Sequence, residues 1–279
     1  MANYYCLMAG APDVELATEK ERTITLDEFR SQCEEVLTNR DAKLLFYFFL
    51  KQDCLNLVKL LKNPDAEIAV LGNFSTDQFH DLISSAQSMN FNVHRFPAFM
   101  SDFARQYNYN NEKEGWFAED QIMLAFYEYA KNCPNKFIAS WYALEMDVNN
   151  ILTALIARRN GWNVADYILG DGEVNEMIRT NNSKDFDLSL EYDYVADLMK
   201  IAEETDPVEK ERRIDAMKWT WLDDSVTDIF SIEAVFAYMC KLQMIDRWER
   251  LDPENGKACF RQIIENLRAG AKVPAEFVR

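Results

Sequence analysis

The scarcity of turn-forming residues limits this chain more than any other feature. Its 279 residues include eight glycines and seven prolines. Sandwiches and barrels use such residues at almost every strand reversal. Their shortage argues against an all-β fold. Leu, Ala, Glu, Lys and Met are plentiful, and these lose little side-chain freedom in a helix. The expectation is an all-α, multi-helical protein.

The apolar spacing supports this along most of the chain. Tyr4 to Ala11, closed by Pro12, reads as a strand or a buried N-terminal arm. Thr25 caps a helix, with Glu28 three residues on and Leu26, Phe29, Cys33 and Val36–Leu37 at helical spacing. A second helix carries Leu44, Leu45, Phe48 and Phe49, and a third runs from about Asp53 to Leu61. Ser75-Thr76-Asp77 caps the next, through Ala86. Residues 87–112 hold Asn90, Asn92, Asn108, Asn110 and Asn111, with Pro97 between, and read as a long loop or short helices. Helices follow at Ala118–Ala130, Lys136 to about Asn160 with Gly161 as terminator, Leu190–Glu203, Asp206–Met217, Ser231–Trp248 and Asp252 to about Arg268. Asp171–Ser189 reads as a surface connection around one short helix. The tail from Gly270 reads as frayed.

The formal net charge of −17 repels a phosphate backbone and anionic lipid, which sets nucleic acid aside as a partner. It serves solubility, or else docks basic protein loops. Six cysteines stand without CxxC spacing, mostly among apolar neighbours, as expected of reduced, buried thiols. The first residues lack a signal peptide's basic start and apolar core, and the longest apolar run, Leu44–Leu50, is far below the ~20 residues a bilayer requires. A cytoplasmic protein is expected, touching a membrane only through partners.

Catalytic material is thin. Asp223, Asp224 and Asp228 could hold Mg²⁺ against a diphosphate in a helical enzyme, but no second metal motif accompanies them. A polar turn with Asp228 or Ser231 capping the next helix explains the string more simply. The two histidines, His80 and His94, lack a His or Cys partner at ligand spacing. No phosphate-binding glycine loop is present. Trp219 to Leu222 and Tyr238 to Trp248 read as core-packing strings, or alternatively as an exposed partner stripe. No cofactor is expected.

Internal repetition is visible. Asp53-x-x-Asn56-Leu57-x-x-Leu60-Leu61 returns 94 residues later as Asp147-x-x-Asn150-Ile151-x-x-Ala154-Leu155. A glycine and a short helix follow each copy: Gly72 with Phe79–Ile83, and Gly172 with Val174–Ile178. Arg158 shares the apolar face of its helix with Ile151 and Ala154. Such an arginine ordinarily pairs with an acid; otherwise it marks a cationic spot that receives a partner.

The opening Tyr4-Tyr5-Cys6-Leu7-Met8-Ala9-Gly10-Ala11-Pro12-Asp13 resembles a bacterial family encoded with V-type ATPase genes. So does Ser231-Ile232-Glu233-Ala234-Val235-Phe236-Ala237-Tyr238, with Lys241-Leu242-Gln243 and Arg247-Trp248. The central Asp147-Val148-Asn149-Asn150-Ile151, with Arg158-Arg159-Asn160-Gly161 and Gly170-Asp171-Gly172, is similar to the repeat signature of the C-type central-stalk component of V/A-type ATP synthases, whose eukaryotic counterpart is the d-type component of the V-ATPase. The resemblance implies repeated helical units in a pseudo-threefold funnel, with tentative bounds 1–112, 113–189 and 190–279. It implies a non-catalytic central-stalk socket between the rotor shaft (the D and F components) and the membrane ring of proteolipid subunits, in proton or sodium transport. It places the protein at the cytoplasmic side of the inner membrane. Asp147, Asn150, Arg158 and Glu233 stand as candidate partner-facing or inter-helix polar residues. The alternatives are the Mg²⁺-dependent enzyme and a generic helical scaffold. This chain departs from the pattern in being short and acidic, and its third unit lacks a clear Asp-x-x-Asn string.

Overall fold

Apolar residues at helical spacing, punctuated by capping side chains, produce eleven α-helices and two short 3-10 turns among the described residues. A computed structural model describes residues 4–16, 24–88, 95–111, 113, 115 and 117–250. No strand occurs among them, so the all-α expectation holds. The helices are α1 (Tyr5–Gly10), α2 (Leu26–Val36), α3 (Asn39–Lys62), α4 (Thr76–Gln87), α5 (Ala98–Asn110) and α6 (Ala118–Ala130). After these come α7 (Lys136–Arg159), α8 (Glu173–Thr180), α9 (Asp193–Ala202), α10 (Pro207–Ser225) and α11 (Ile232–Arg250). None of them is long and apolar enough to cross a membrane.

The caps act as the sequence suggests. Thr25 and Glu28 form a reciprocal capping box on α2, and Ser75 forms another with Gln78 on α4. Gly161, at φ +68°, turns the chain out of α7.

Three expectations change. The N-terminal run is a short helix, α1, with Tyr4 and Leu7 buried. The two helices expected over 44–61 are one, the 24-residue α3. Lys51-Gln52-Asp53 has the polarity of a break between helices, but these side chains meet polar partners inside the fold. Lys51 pairs with Glu145, Gln52 donates to Asn56, and Asp53 accepts from Asn73. The asparagine-rich region contains a full helix, α5. Asn90, Asn92, His94, the expected Asp252–Arg268 helix, Cys259 and the tail lie outside the described residues.

Buried apolar side chains form one cluster from Tyr4 to Met244, reaching into all three tentative repeat units. Ile232, Val235, Phe236, Met239 and Leu242 of α11 are buried in it, which is the core reading of that string. The terminal strings meet there. Tyr4 N–H donates to the Phe230 carbonyl at 2.8 Å, and the Tyr238 hydroxyl donates to the Pro12 carbonyl at 2.8 Å.

Candidate functional site

Three long helices begin at one cleft. The capping residues of α3, α7 and α11 are Thr38, Asn135 and Ser231, and all three line it. Each is placed by its own local chemistry: Thr38 Oγ1 accepts from Asp41 N–H, Asn135 Oδ1 from Ile138 N–H, and Ser231 Oγ from Ala234 N–H. The Asn135 amide also donates to Glu233 Oε1 at 2.6 Å, joining the starts of α7 and α11. The Tyr4 hydroxyl donates to Asp41 Oδ2 at 2.5 Å, joining the N-terminal arm to α3.

The cleft encloses about 1010 Å³. That is the upper end of the range for small-ligand pockets. Its apolar lining includes Leu37, Phe46, Tyr47, Phe49, Tyr129 and Ile232. Arg30, Arg40, Lys43, Glu34, Asp41 and Glu233 supply its charge. Burial, aided by the Glu34 charge, pushes the Cys33 thiol up to about 12. At neutral pH it is a protonated apolar filler, unsuited to nucleophilic work.

Glu233 is the one sequence candidate at this cleft. Asn150 is buried in α7 and clasps the following loop: its amide donates to the Leu169 carbonyl and its Oδ1 accepts Leu169 N–H. Asn56 holds Ala69 by the same pair of bonds. The repeated asparagine is therefore one device used twice. The repeated aspartate is not. Asp53 accepts from Asn73 N–H, Asn73 Nδ2 and Phe74 N–H, whereas Asp147 accepts from the Tyr194 hydroxyl at 3.3 Å. Among the described residues, Arg158 pairs with no acid. Its guanidinium donates to the Ser183 and Asn181 carbonyls and stacks 3.8 Å over the Phe186 ring. This is a structural clamp on the strained turn at Phe186–Asp187, where both residues have φ near +60°.

Burial pushes the Asp147 carboxyl up to about 6, with the Tyr194 hydrogen bond only partly opposing it. A folded-state pKa above the unfolded value means the folded form binds the proton more tightly. Stability is then gained as pH falls through about 6 and lost as it rises. Asp147→Asn is expected to raise stability at pH 7.5 by about 1 kcal/mol, after allowance for partial exposure. It should also flatten the stability profile between pH 4 and 7 in urea melts. An unchanged profile would remove Asp147 as the source.

The aspartate string does not assemble into a metal site. Asp223 is ion-paired with Lys241, whose ammonium also lies over the Trp219 ring. The Asp228 carboxylate accepts Phe230 N–H, and its carbonyl accepts from Ser231 Oγ. Asp224 is exposed at the end of α10. No group of three or more His, Cys, Asp or Glu among the described residues is placed to hold a metal ion.

A second cluster had no sequence signal. Glu145 on α7 accepts from Lys51 Nζ at 2.7 Å and lies 3.6 Å from Lys218 Nζ of α10. Burial pushes the Glu145 carboxyl up, but the two lysines outweigh it and hold it below the usual carboxylate range. Lys51 and Glu145 are 94 residues apart, the same offset as the repeated strings.

Residues 1–271 match the model of a family described as "Protein of unknown function (DUF2764)". No curated protein and no solved structure matches the chain.

Proposed function

We propose that this chain, which belongs to the DUF2764 family, is a non-catalytic coupling subunit of a V-type ATPase, a socket joining the rotor shaft to the membrane proteolipid ring. The observation that carries the reading is the convergence of the capped starts of α3, α7 and α11 on one open cleft. A socket needs an opening framed by stiff elements. Two of these helices have 24 residues and the third 19. At 1.5 Å per residue they run roughly 28–36 Å from the cleft, deep enough to carry load into the body.

The internal ties also suit a part that transmits torque. Lys51–Glu145–Lys218 links α3, α7 and α10. On α11, Arg247 Nη2 and Trp248 Nε1 both donate to the buried Asp215 carboxylate of α10. The resemblance at Tyr4–Asp13, Asp147–Ile151 and Ser231–Trp248 supplies the partners: the D and F components of the shaft at one side, the ring at the other. The net charge of −17 suits basic cytoplasmic loops of the ring. The Mg²⁺-enzyme alternative is weakened by the engagement of Asp223 with Lys241.

The test is co-purification of the full chain with the D–F pair and, separately, with the detergent-solubilised ring. Binding to at least one is expected, with ring binding weakening as salt rises. Failure to bind either at low ionic strength overturns the proposal.

A further inference from the structure

The junction of Lys51, Glu145 and Lys218 holds more donors than acceptors. Glu145 Oε2 accepts from Lys51 Nζ at 2.7 Å, and Lys218 Nζ lies 3.6 Å from Oε1, beyond hydrogen-bond distance. Neither lysine meets a second carboxylate within 4 Å among the described residues. Two ammonium groups (+2) against one carboxylate (−1) leave a formal charge of +1. The junction is largely enclosed. The Lys218 and Glu145 side chains are 13% and 11% exposed, and Lys51, at 30%, is its most open member. Burial opposes the Lys51 charge, but Glu145 outweighs it and holds the ammonium above its usual range.

Tyr127 of α6 stands at the same place and is only 5% exposed. Lys51 and Asn149 Nδ2 both direct donors at its oxygen, the latter at 3.5 Å. Its own proton has no acceptor among the described residues. Burial pushes this hydroxyl above its usual range, so the proton stays in place at neutral pH. The buried neighbour Tyr142 differs, because its hydroxyl donates to the Tyr47 carbonyl at 2.9 Å. Cys240 of α11 adds a thiol that burial keeps protonated, and so brings no negative charge.

A buried hydroxyl proton without an acceptor and a buried excess charge are each unfavourable. One group relieves both if it accepts from every side and carries a single negative charge. A water molecule accepts from the hydroxyl but leaves the excess charge in place. A dianion over-compensates it. We infer that Lys51 Nζ, Lys218 Nζ and the Tyr127 hydroxyl bind one small monovalent anion of the halide class. Such an ion neutralises the junction and ties α6 to α3, α7 and α10, which the charged cluster already joins. Glu145 opposes the ion, so removing its charge serves as a test. The inference does not rest on the coupling reading, since neither shaft nor ring takes part.

The full chain is melted in sodium chloride and in sodium gluconate at equal ionic strength, which holds general screening constant. Gluconate is too large for an enclosed site. Chloride is expected to raise the melting temperature by about 2–4 °C over gluconate. Tyr127→Phe and Lys218→Met should each raise the half-maximal chloride concentration at least about tenfold. Lys200→Met removes an equal charge from an exposed pair with Asp197 and should leave it unchanged. Glu145→Gln should lower it, because the competing carboxylate is gone. Anomalous scattering from bromide-soaked crystals should place one ion beside Lys218 and Tyr127.

Equal stabilisation by gluconate overturns the inference. So does a full chloride effect in either Tyr127→Phe or Lys218→Met, or bromide bound only elsewhere. Stabilisation by phosphate or acetate but not by chloride overturns the halide assignment. Tyr127→Phe and Lys218→Met nearly preserve side-chain shape, so the test stands even where Glu145→Gln does not fold.

Discussion

Glu145→Gln is expected to destabilise the protein by about 3–5 kcal/mol, the cost typical of breaking a buried ion pair from one side. The carboxylate holds Lys51 at 2.7 Å and Lys218 at 3.6 Å, and only about a tenth of its side chain is exposed, at 11%. A glutamine keeps the shape but leaves two lysines without a countercharge among Tyr127, Tyr142 and Cys240. Domains are commonly stable by only about 5–15 kcal/mol, so the change removes about a fifth or more of that margin. Urea melts at pH 7.5 give the measurement. The triple change Lys51→Met, Glu145→Leu and Lys218→Met should recover part of the loss, because removing the buried cluster together is cheaper than orphaning a charge. A cost below about 1 kcal/mol for Glu145→Gln would mean that solvent relaxes around the lysines, and the junction would not be a structural tie.

Gly72→Ala is expected to cost about 2–3 kcal/mol, while Gly172→Ala should stay within about 0.5 kcal/mol. The two glycines hold matching places, each three residues after the residue its asparagine clasps. Their surroundings differ. A Cβ at Gly72 falls inside the contact distance of Asp53 Oδ1, and the Asn56 amide stands 3.5 Å away. Asp53 cannot retreat without loosening its hold on Asn73 and Phe74. A Cβ at Gly172 meets the Asn175 amide at 3.7 Å, ordinary contact, on extended backbone that any residue adopts. Thermal melts of the two variants side by side make the comparison. Equal effects would show that the loop before α4 moves aside freely.

The same pair of loops shows how far the sequence could be read. Asn56 and Asn150 stand out in the repeated strings, and both prove to be backbone clasps. Their loops differ in length: Asn56 reaches a carbonyl 13 positions on, and Asn150 one 19 positions on. The longer loop does not bring main-chain N–H groups to Asp147, so the aspartates diverge although the strings match. Arg158 was legible as a polar group on an apolar face. Its partners were not, because a carbonyl acceptor can come from any residue type and leaves no compositional mark.

What the sequence determined by itself was the helical class, most helix positions and their caps. Those depend on spacing and chemistry within about two turns, where Thr25 finds Glu28 and Ser75 finds Gln78. Tertiary structure alone decided which helix ends meet. It joined Lys51 and Glu145, made the polar run Lys51–Asp53 the middle of one helix, and brought Thr38, Asn135 and Ser231 to a common cleft. The reason is range. A cap is settled between neighbours in the chain, whereas an ion pair or cleft depends on separation in space, which only the packing of the whole core sets.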